Sequence, residues 1–429
     1  MSNTTIRNSK LPQPSLLGLR PSFGFGDRLG LATPGHIAAC KLGRLTPIFA
    51  QQSARELTRT QRTAHEVLRA AQEGIVRAGG WNGPWGADAD HLKTKEDVQH
   101  YASAGFTFYT IDPSAFVQNK ADKLQGNDLQ AAAQEVVGSG AFESLAQIES
   151  LYLGKQHVLD GAGSLGFADK ESLFRAVVKY GKAIHYAAQM GAWIQEATRG
   201  KGEIEMSVDE TESVTRPVEH LFVGLEFKRR SVRPVVSLAP RFPGDFEKGV
   251  DYKGDLKVFE AQLREHVAVA KYCGPYKISV HSGSDKFSIY PIVGRVCGDL
   301  LHVKTAGTNY LEALRVVARQ ASDLFLEIVE FSHTRFETDR ASYHISAQLS
   351  RLSNPATLSA KEREQVYLDE HDGRQVLHVT FGSVLTQGKS HNGRTFKEGI
   401  LETLQKHDAL HQQVLVQHLG KHVKLLSVG

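Results

Sequence analysis

Two carboxylates and an imidazole close the segment Trp85-Gly-Ala-Asp-Ala-Asp-His91. Side chains alternate along an extended chain, so Asp88 and Asp90 share one side, and His91, next in line, can swing toward a site at the strand's end. Residues of these types at that spacing serve proton transfer or metal binding. A lone Asp-His pair more often only caps a turn. Here seven further segments have the same form, each a short apolar or β-branched run stopping at polar residues: 17–27, 46–53, 106–113, 204–212, 235–242, 276–285 and 300–308.

Stretches of helical character lie between them, at 63–77, 170–198, 217–230, 255–272 and 310–331. Strand followed by helix eight times over predicts an α/β fold, a (β/α)8 TIM-like barrel, with polar residues gathered where strands end and helices begin. A doubly wound open sheet is the rival. Its switch point would need a phosphate-cradling glycine loop, and Gly24-Phe-Gly-Asp-Arg-Leu-Gly30 has the wrong spacing for the dinucleotide fingerprint. Those glycines read instead as a tight turn before a helix capped by Thr33 and opened by Pro34.

The barrel is expected over 13–330, behind a polar arm at 1–12. A mainly helical C-terminal extension over 331–429, packed on the barrel, ends in an amphipathic helix at about 396–426. Residues 115–170 are too many for a simple loop and should carry short helices, with Tyr152-Leu-Gly-Lys155 reaching the site from above.

With 429 residues, 41% of them hydrophobic, the chain suits one large catalytic domain. A net charge of +4, from 51 basic and 47 acidic residues with no basic run, argues against a nucleic-acid partner. Cys40, Cys273 and Cys297 are odd in number and lack metal-ligand spacing, so a disulfide scaffold or zinc ribbon is not indicated. The N-terminus has no secretory apolar run, and no stretch approaches the 18 or so apolar residues of a membrane helix. A soluble, cytoplasmic protein with no membrane partner is the expectation. Homo-oligomerisation is left open.

In a barrel, functional groups converge from the carboxyl ends of several strands. Strand by strand these are Asp27 and Arg28, Gln52 and Ser53, Asp90 and His91, Asp112, the run Glu205 to Glu212, Arg241, the run His281 to Lys286, and the run Lys304 to Thr308. Two imidazoles among several carboxylates suit a divalent metal such as Mn, Co, Ni, Fe or Zn. His91 and His281 are the first two ligands. Glu247, His302 and Asp209 compete for the third place. The bland alternatives are a helix-end imidazole at His91, a satisfied core imidazole at His281 and a solvated loop charge at Glu247. His344 and His378 lie outside the strand-helix repeats and read as packing residues of the tail. Arg20, Arg28, Arg241, Lys286 and Lys304 lie on or just after strands, where cations suit an acidic substrate. Gln52, Ser282, Ser284, Asp285 and Thr308 would serve the hydroxyls of a sugar acid.

Six motifs occur in order: Leu17-Gly-Leu-Arg-Pro-Ser-Phe-Gly-Phe-Gly-Asp-Arg-Leu-Gly30, Pro47-Ile-Phe-Ala-Gln-Gln-Ser53, Gly86-Ala-Asp-Ala-Asp-His91, Ser207-Val-Asp-Glu-Thr-Glu212, Tyr276-Lys-Ile-Ser-Val-His-Ser-Gly-Ser-Asp-Lys-Phe-Ser288 and His302-Val-Lys-Thr-Ala-Gly-Thr308. Together they closely resemble the bacterial tagaturonate/fructuronate epimerase family, over almost the whole chain from about Leu17. The resemblance implies a metal-dependent isomerase of hexuronate breakdown that inverts one secondary alcohol. By motif it implies Asp90 as proton acceptor and Glu205 as proton donor, with His91, Glu247 and His281 as metal ligands. Arg28, Gln52, Arg241, Ser284 and Lys304 are then expected around the substrate. The two ketoacids differ at C4, which is β to both the C2 ketone and the C6 carboxylate, so enolisation cannot invert it. Retro-aldol cleavage and re-addition can, and so can transient oxidation by nicotinamide, which the missing dinucleotide fingerprint disfavours. A metal-dependent aldolase or lyase acting on a sugar acid is the alternative from another enzyme class, and a sugar-acid binding protein the non-enzymatic one.

Overall fold

The structure, a computed structural model, describes residues 11–428, so most of the arm expected at 1–12 lies outside the described residues. Eight parallel strands close into a barrel: β1 (Ser22–Phe25), β2 (Thr46–Ser53), β3 (Gly86–Leu92), β4 (Phe108–Ile111), β7 (Glu203–Ser207), β8 (Val235–Ala239), β9 (Lys277–Val280) and β10 (Leu301–Thr305). β5 (Gln156–Leu159) and β6 (Gly163–Gly166) pair as a separate antiparallel hairpin. All eight segments singled out in the sequence are barrel strands. The ring closes where β1 meets β10, Phe25 opposite Thr305, and β2 on its other side, Ser22 opposite Thr46.

Local chemistry sets the helices. Ala64–Arg77 starts with a reciprocal capping box between Thr63 and Glu66, Lys95–Ala104 with one between Thr94 and Asp97, and Lys170–Thr198 with Asp169 accepting from the Ser172 amide. The turn after β1 departs from the expected Thr33 cap. The N-cap is Ala32, and the Asp27 carboxylate takes the amides of Leu29, Gly30 and Ala32.

Two long helical stretches prove divided. The pattern at 310–331 is shared by Gly307–Gln320 and Ser322–Asp339, which break at Ala321, and Ser322–Asp339 runs across the boundary expected at 330/331. The terminal stretch breaks at His407 into Phe396–Lys406 and Asp408–Leu426. In the long segment after β4, the Tyr152 hydroxyl donates to Glu226 and its ring packs edge-on against Phe222. Both partners lie on the outer helix Pro217–Arg229, so Tyr152 serves the outer layer and not the mouth.

Apolar side chains from the strands and surrounding helices form one large core, and a second gathers around Tyr310, Phe325, Leu377, Phe381 and Ile400. The helix Asp408–Leu426 returns to the barrel, where Leu415, Leu419, Val423 and Leu426 join the large core. Leu415 lies so close to Gly35 that a Cβ there would stand 2.8 Å from it. Among the described residues no helix is long and apolar enough to cross a membrane.

Candidate active site

The barrel interior is polar and layered. In the lower layer Lys277 donates to Ser22 Oγ at 3.1 Å, His302 Nδ1 lies 2.9 Å from the same hydroxyl, and the His302 ring packs 5.2 Å from Phe108. His302, one contender for the third ligand, is therefore a floor residue. Burial holds its imidazole well below its ordinary pKa.

Above it stands the buried Lys304 ammonium, 2.7 Å from Asp88 Oδ2, 2.8 Å from Asp90 Oδ1 and 2.9 Å from Glu205 Oε1. It also donates to Thr110. β3 supplies Asp88 and Asp90 to the same face, as its alternation requires. The lysine and its carboxylates set each other's charge. Burial opposes the ammonium, but the three acids outweigh it and raise the Lys304 pKa. Burial likewise pushes Asp88 up, whereas Lys304 and the imidazoles His91 and His281 keep Asp90 below the ordinary carboxylate range. Asp90 is thus an ionised carboxylate facing the mouth.

His91 reaches the same face by a backbone irregularity. The register between β3 and β4 shifts between Ala89 and Leu92, and His91 takes a φ of +53°, a strained value for a residue with a Cβ. Its Nδ1 lies 3.3 Å from Asp112 Oδ2, which leaves Nε2 toward the mouth. His281 follows β9, with Nε2 2.8 Å from Glu205 Oε1 and Nδ1 3.1 Å from Asp209 Oδ1. The two rings are 5.1 Å apart. Burial opposes protonation of both, yet the surrounding carboxylates raise His91 to about 9 and His281 to about 10.

This donor set fits a divalent cation. Ligand atoms of His91, Asp209 and His281 lie within 4.8 Å of one another. Among the described residues His281 Nδ1 makes no well-aligned hydrogen bond, although Asp209 Oδ1 lies 3.1 Å from it. Each imidazole also rests its other nitrogen on a buried carboxylate, Asp112 or Glu205, the arrangement that fixes ring orientation in metal sites.

A recess of about 70 Å³ opens over the cluster, lined by Asp90, His91, Asp209, His281 and Lys304 together with Arg28, Gln51, Lys248, Ser284 and others. A neighbouring recess of about 250 Å³ shares Asp209, Lys248, His281 and Tyr343 with it and adds Arg241. A larger cavity, about 790 Å³, lies apart from this chemistry, and its Arg315, Arg319 and Arg374 are already paired with carboxylates.

A family model described as tagaturonate epimerase matches residues 1–426. The chain belongs to this family. A tagaturonate/fructuronate epimerase of Thermotoga maritima is 42% identical over 416 residues, covering 97% of this chain and 82% of that protein. The native crystal structure of a fructuronate-tagaturonate epimerase from Cohnella laeviribosi superposes with a TM-score of 0.89 at 37% identity, covering 96% of this chain and 83% of that one. The one-glycerol complex of that epimerase gives 0.90 at 36% identity, with the same coverage.

In this tagaturonate epimerase family member, Asp90, His91, Glu205, His281 and Lys304 come together. Glu205 is fully buried beneath the mouth and held ionised by Lys304 and His281 against the pull of burial. Lys304 lines the same recess, with its ammonium engaged by Asp88, Asp90 and Glu205. Ser284 and Arg28 line the 70 Å³ recess and Arg241 the larger one. Glu247 stands apart: its carboxylate accepts from Ser346 Oγ at 2.8 Å, Gln375 Nε2 at 2.8 Å and Lys253 Nζ at 3.1 Å. Gln52 is turned outward, donating to Thr60 at 3.1 Å and accepting from Arg62 at 3.3 Å. The amide at the mouth is Gln51, because neighbours on a strand face opposite ways.

Sequence reasoning missed Gln51, Arg55 and Lys248, and it missed the contribution of the extension. Tyr343 and His378 line the 70 Å³ recess, although His378 read as tail packing. No motif or spacing marks either residue. The one trace is Gly307, where a Cβ would stand 1.8 Å from His378 Cε1.

Proposed function

We propose that the protein interconverts D-tagaturonate and D-fructuronate by inverting C4, with a divalent cation held at the barrel mouth by His91, His281 and a carboxylate. Asp209 is the carboxylate already beside His281, and Glu247 is the one the family resemblance implies. The observation that carries the reading is the pair of imidazoles, each braced by a buried acid and lining the same recess as the ionised Asp90, in a chain of this family.

Asp90 takes the C4 hydroxyl proton. Cleavage of the C3–C4 bond then leaves an aldehyde at C4 and an enediolate across C2 and C3. The cation would supply Lewis acidity to the oxygens of that enediolate. The walls of the recess hold the aldehyde fragment while it turns, and bond formation from its other face gives the epimer. The proton that Asp90 took returns from its carboxyl group to the new C4 alkoxide, and Glu205, the donor the family resemblance implies, is linked to Asp90 through the Lys304 ammonium at 2.8 and 2.9 Å.

The test is to incubate the metal-supplemented protein with D-tagaturonate, without added nicotinamide, and follow products by NMR. Appearance of D-fructuronate supports the reading. Accumulation of free three-carbon fragments would point to an aldolase, and no conversion would remove the activity altogether.

A further inference from the structure

One wall of the mouth is built from three elements far apart in sequence. Arg28 follows β1, the helix Gly307–Gln320 follows β10, and His378 comes from the helix His371–Thr386 of the extension. Arg28, Gly307 and His378 line the same 70 Å³ recess as Asp90, His91 and His281.

The Arg28 guanidinium is 4% exposed and fixed on two sides. Its Nε and Nη2 meet Glu56 Oε1 at 2.9 and 2.7 Å, and its face lies 3.5 Å above the Phe381 ring. Its Nη1 is buried with no partner among the described residues. A charged donor so placed lacks an acceptor that the fold does not provide.

The start of Gly307–Gln320 has the same lack. Its N-cap, Ala306, offers no side-chain acceptor, so the first amides of a 14-residue helix carry their partial positive charge uncapped. His378 lies directly against Gly307, is 2% exposed, and has an Nδ1 without a partner among the described residues. The three features are contiguous, since His378 and Phe381 sit one turn apart on one helix, the former against Gly307 and the latter under Arg28.

We propose that this wall is the subsite for the substrate carboxylate, with Arg28 Nη1, the amides opening Gly307–Gln320 and His378 Nδ1 as its donors. A carboxylate oxygen pair suits the free Nη1 of the Arg28 guanidinium and the row of N–H groups beside it, and its charge complements both. The assignment rests on the sugar-acid reading of the same mouth. It gives the C-terminal extension a share in specificity: His378 and the Phe381 platform help the enzyme discriminate a uronate from a neutral ketose.

The test compares two inert probes by calorimetry on metal-loaded protein, the linear aldonate D-galactonate and its neutral counterpart galactitol. The wild type should bind the aldonate at least about tenfold more tightly, the scale of a charge-assisted hydrogen bond. Arg28→Lys keeps a cation for Glu56 but loses the free N–H, and His378→Phe keeps the ring against Gly307 but loses the nitrogen. Each should erase most of the preference while leaving galactitol affinity and metal content unchanged, and should raise KM for D-tagaturonate more than it lowers kcat. A preference that survives in His378→Phe and in folded Arg28→Lys, or that is absent from the wild type, overturns the proposal. A wild type that shows the preference yet does not epimerise D-tagaturonate would keep the subsite and remove the activity.

Discussion

Asp90 carries the smallest-scale claim. It lines the recess, stays ionised, and stands beside both imidazoles, so its replacement should remove proton transfer without removing the cation. Asp90→Asn should lower kcat by about 100-fold or more at unchanged metal content, the usual loss for a positioned general base. Retained activity would contradict the role. The third ligand is decided by a pair of variants. If the arrangement around His281 is the one that binds, Asp209→Asn should cut metal occupancy at least about tenfold while Glu247→Gln leaves it near normal. The reverse pattern, read by metal analysis after dialysis, would assign the place to Glu247, released from Lys253 and Ser346. Residue type and spacing made Asp90, His91 and His281 legible in advance, because strand ends in a barrel converge. Gln52 was misplaced because the reading took strand-end position alone and ignored which face each glutamine presents. Tyr343 and His378 had no sequence signal, since a residue brought to the mouth by a distant helix leaves no local pattern.

Elements hold these residues through a few interior ties. The register shift in β3 turns His91 onto the same side as Asp90, a feature no strand pattern announces. Between the loops after β8 and β9, the buried Lys286 ammonium donates to the carbonyls of Glu247 at 2.8 Å and Ser284 at 3.0 Å, and to that of Val250. Lys286, expected near the substrate, is thus a strut between the loops that carry Glu247 and Ser284. Lys286→Met would orphan these carbonyls and should destabilise the protein by at least about 2 kcal/mol in urea unfolding, with a raised KM as the loops loosen. Unchanged stability would show that the loops hold without it. All eight strands were legible because each ends a β-branched or apolar run at polar residues. Helix breaks were not, because Ala321 and His407 interrupt apolar periodicity without the glycine or proline that usually marks a boundary.

At the scale of the whole molecule, burial leaves several histidines neutral away from the His91–His281 pair. Desolvation pulls His36 and His266 down to about 4 and His422 to about 3. The unfolded chain binds protons at these sites below about pH 6.5 while the folded chain does not, so stability should fall as pH drops from 6.5 toward 5. The full penalty, on the order of 3 kcal/mol per histidine, is reached only below the folded pKa values. In the metal-free chain His91 and His281, with raised values, stay protonated when folded and become protonated in the unfolded chain only as pH falls from 7 to 5, which adds a smaller slope of the opposite sign. The check is the urea midpoint at pH 7 against pH 5, and a flat profile would mean that these histidines are not held neutral.

The barrel and the extension meet around one mouth, and the central claim is that a cation held there by His91 and His281 enables inversion at C4. The direct measurement is to strip the protein with chelator, confirm the loss by metal analysis, and titrate a divalent cation back while following D-fructuronate formation from D-tagaturonate. The account predicts that activity vanishes on stripping and returns in full at about one equivalent in the wild type, but not in His281→Ala. Full activity in metal-free protein would contradict it.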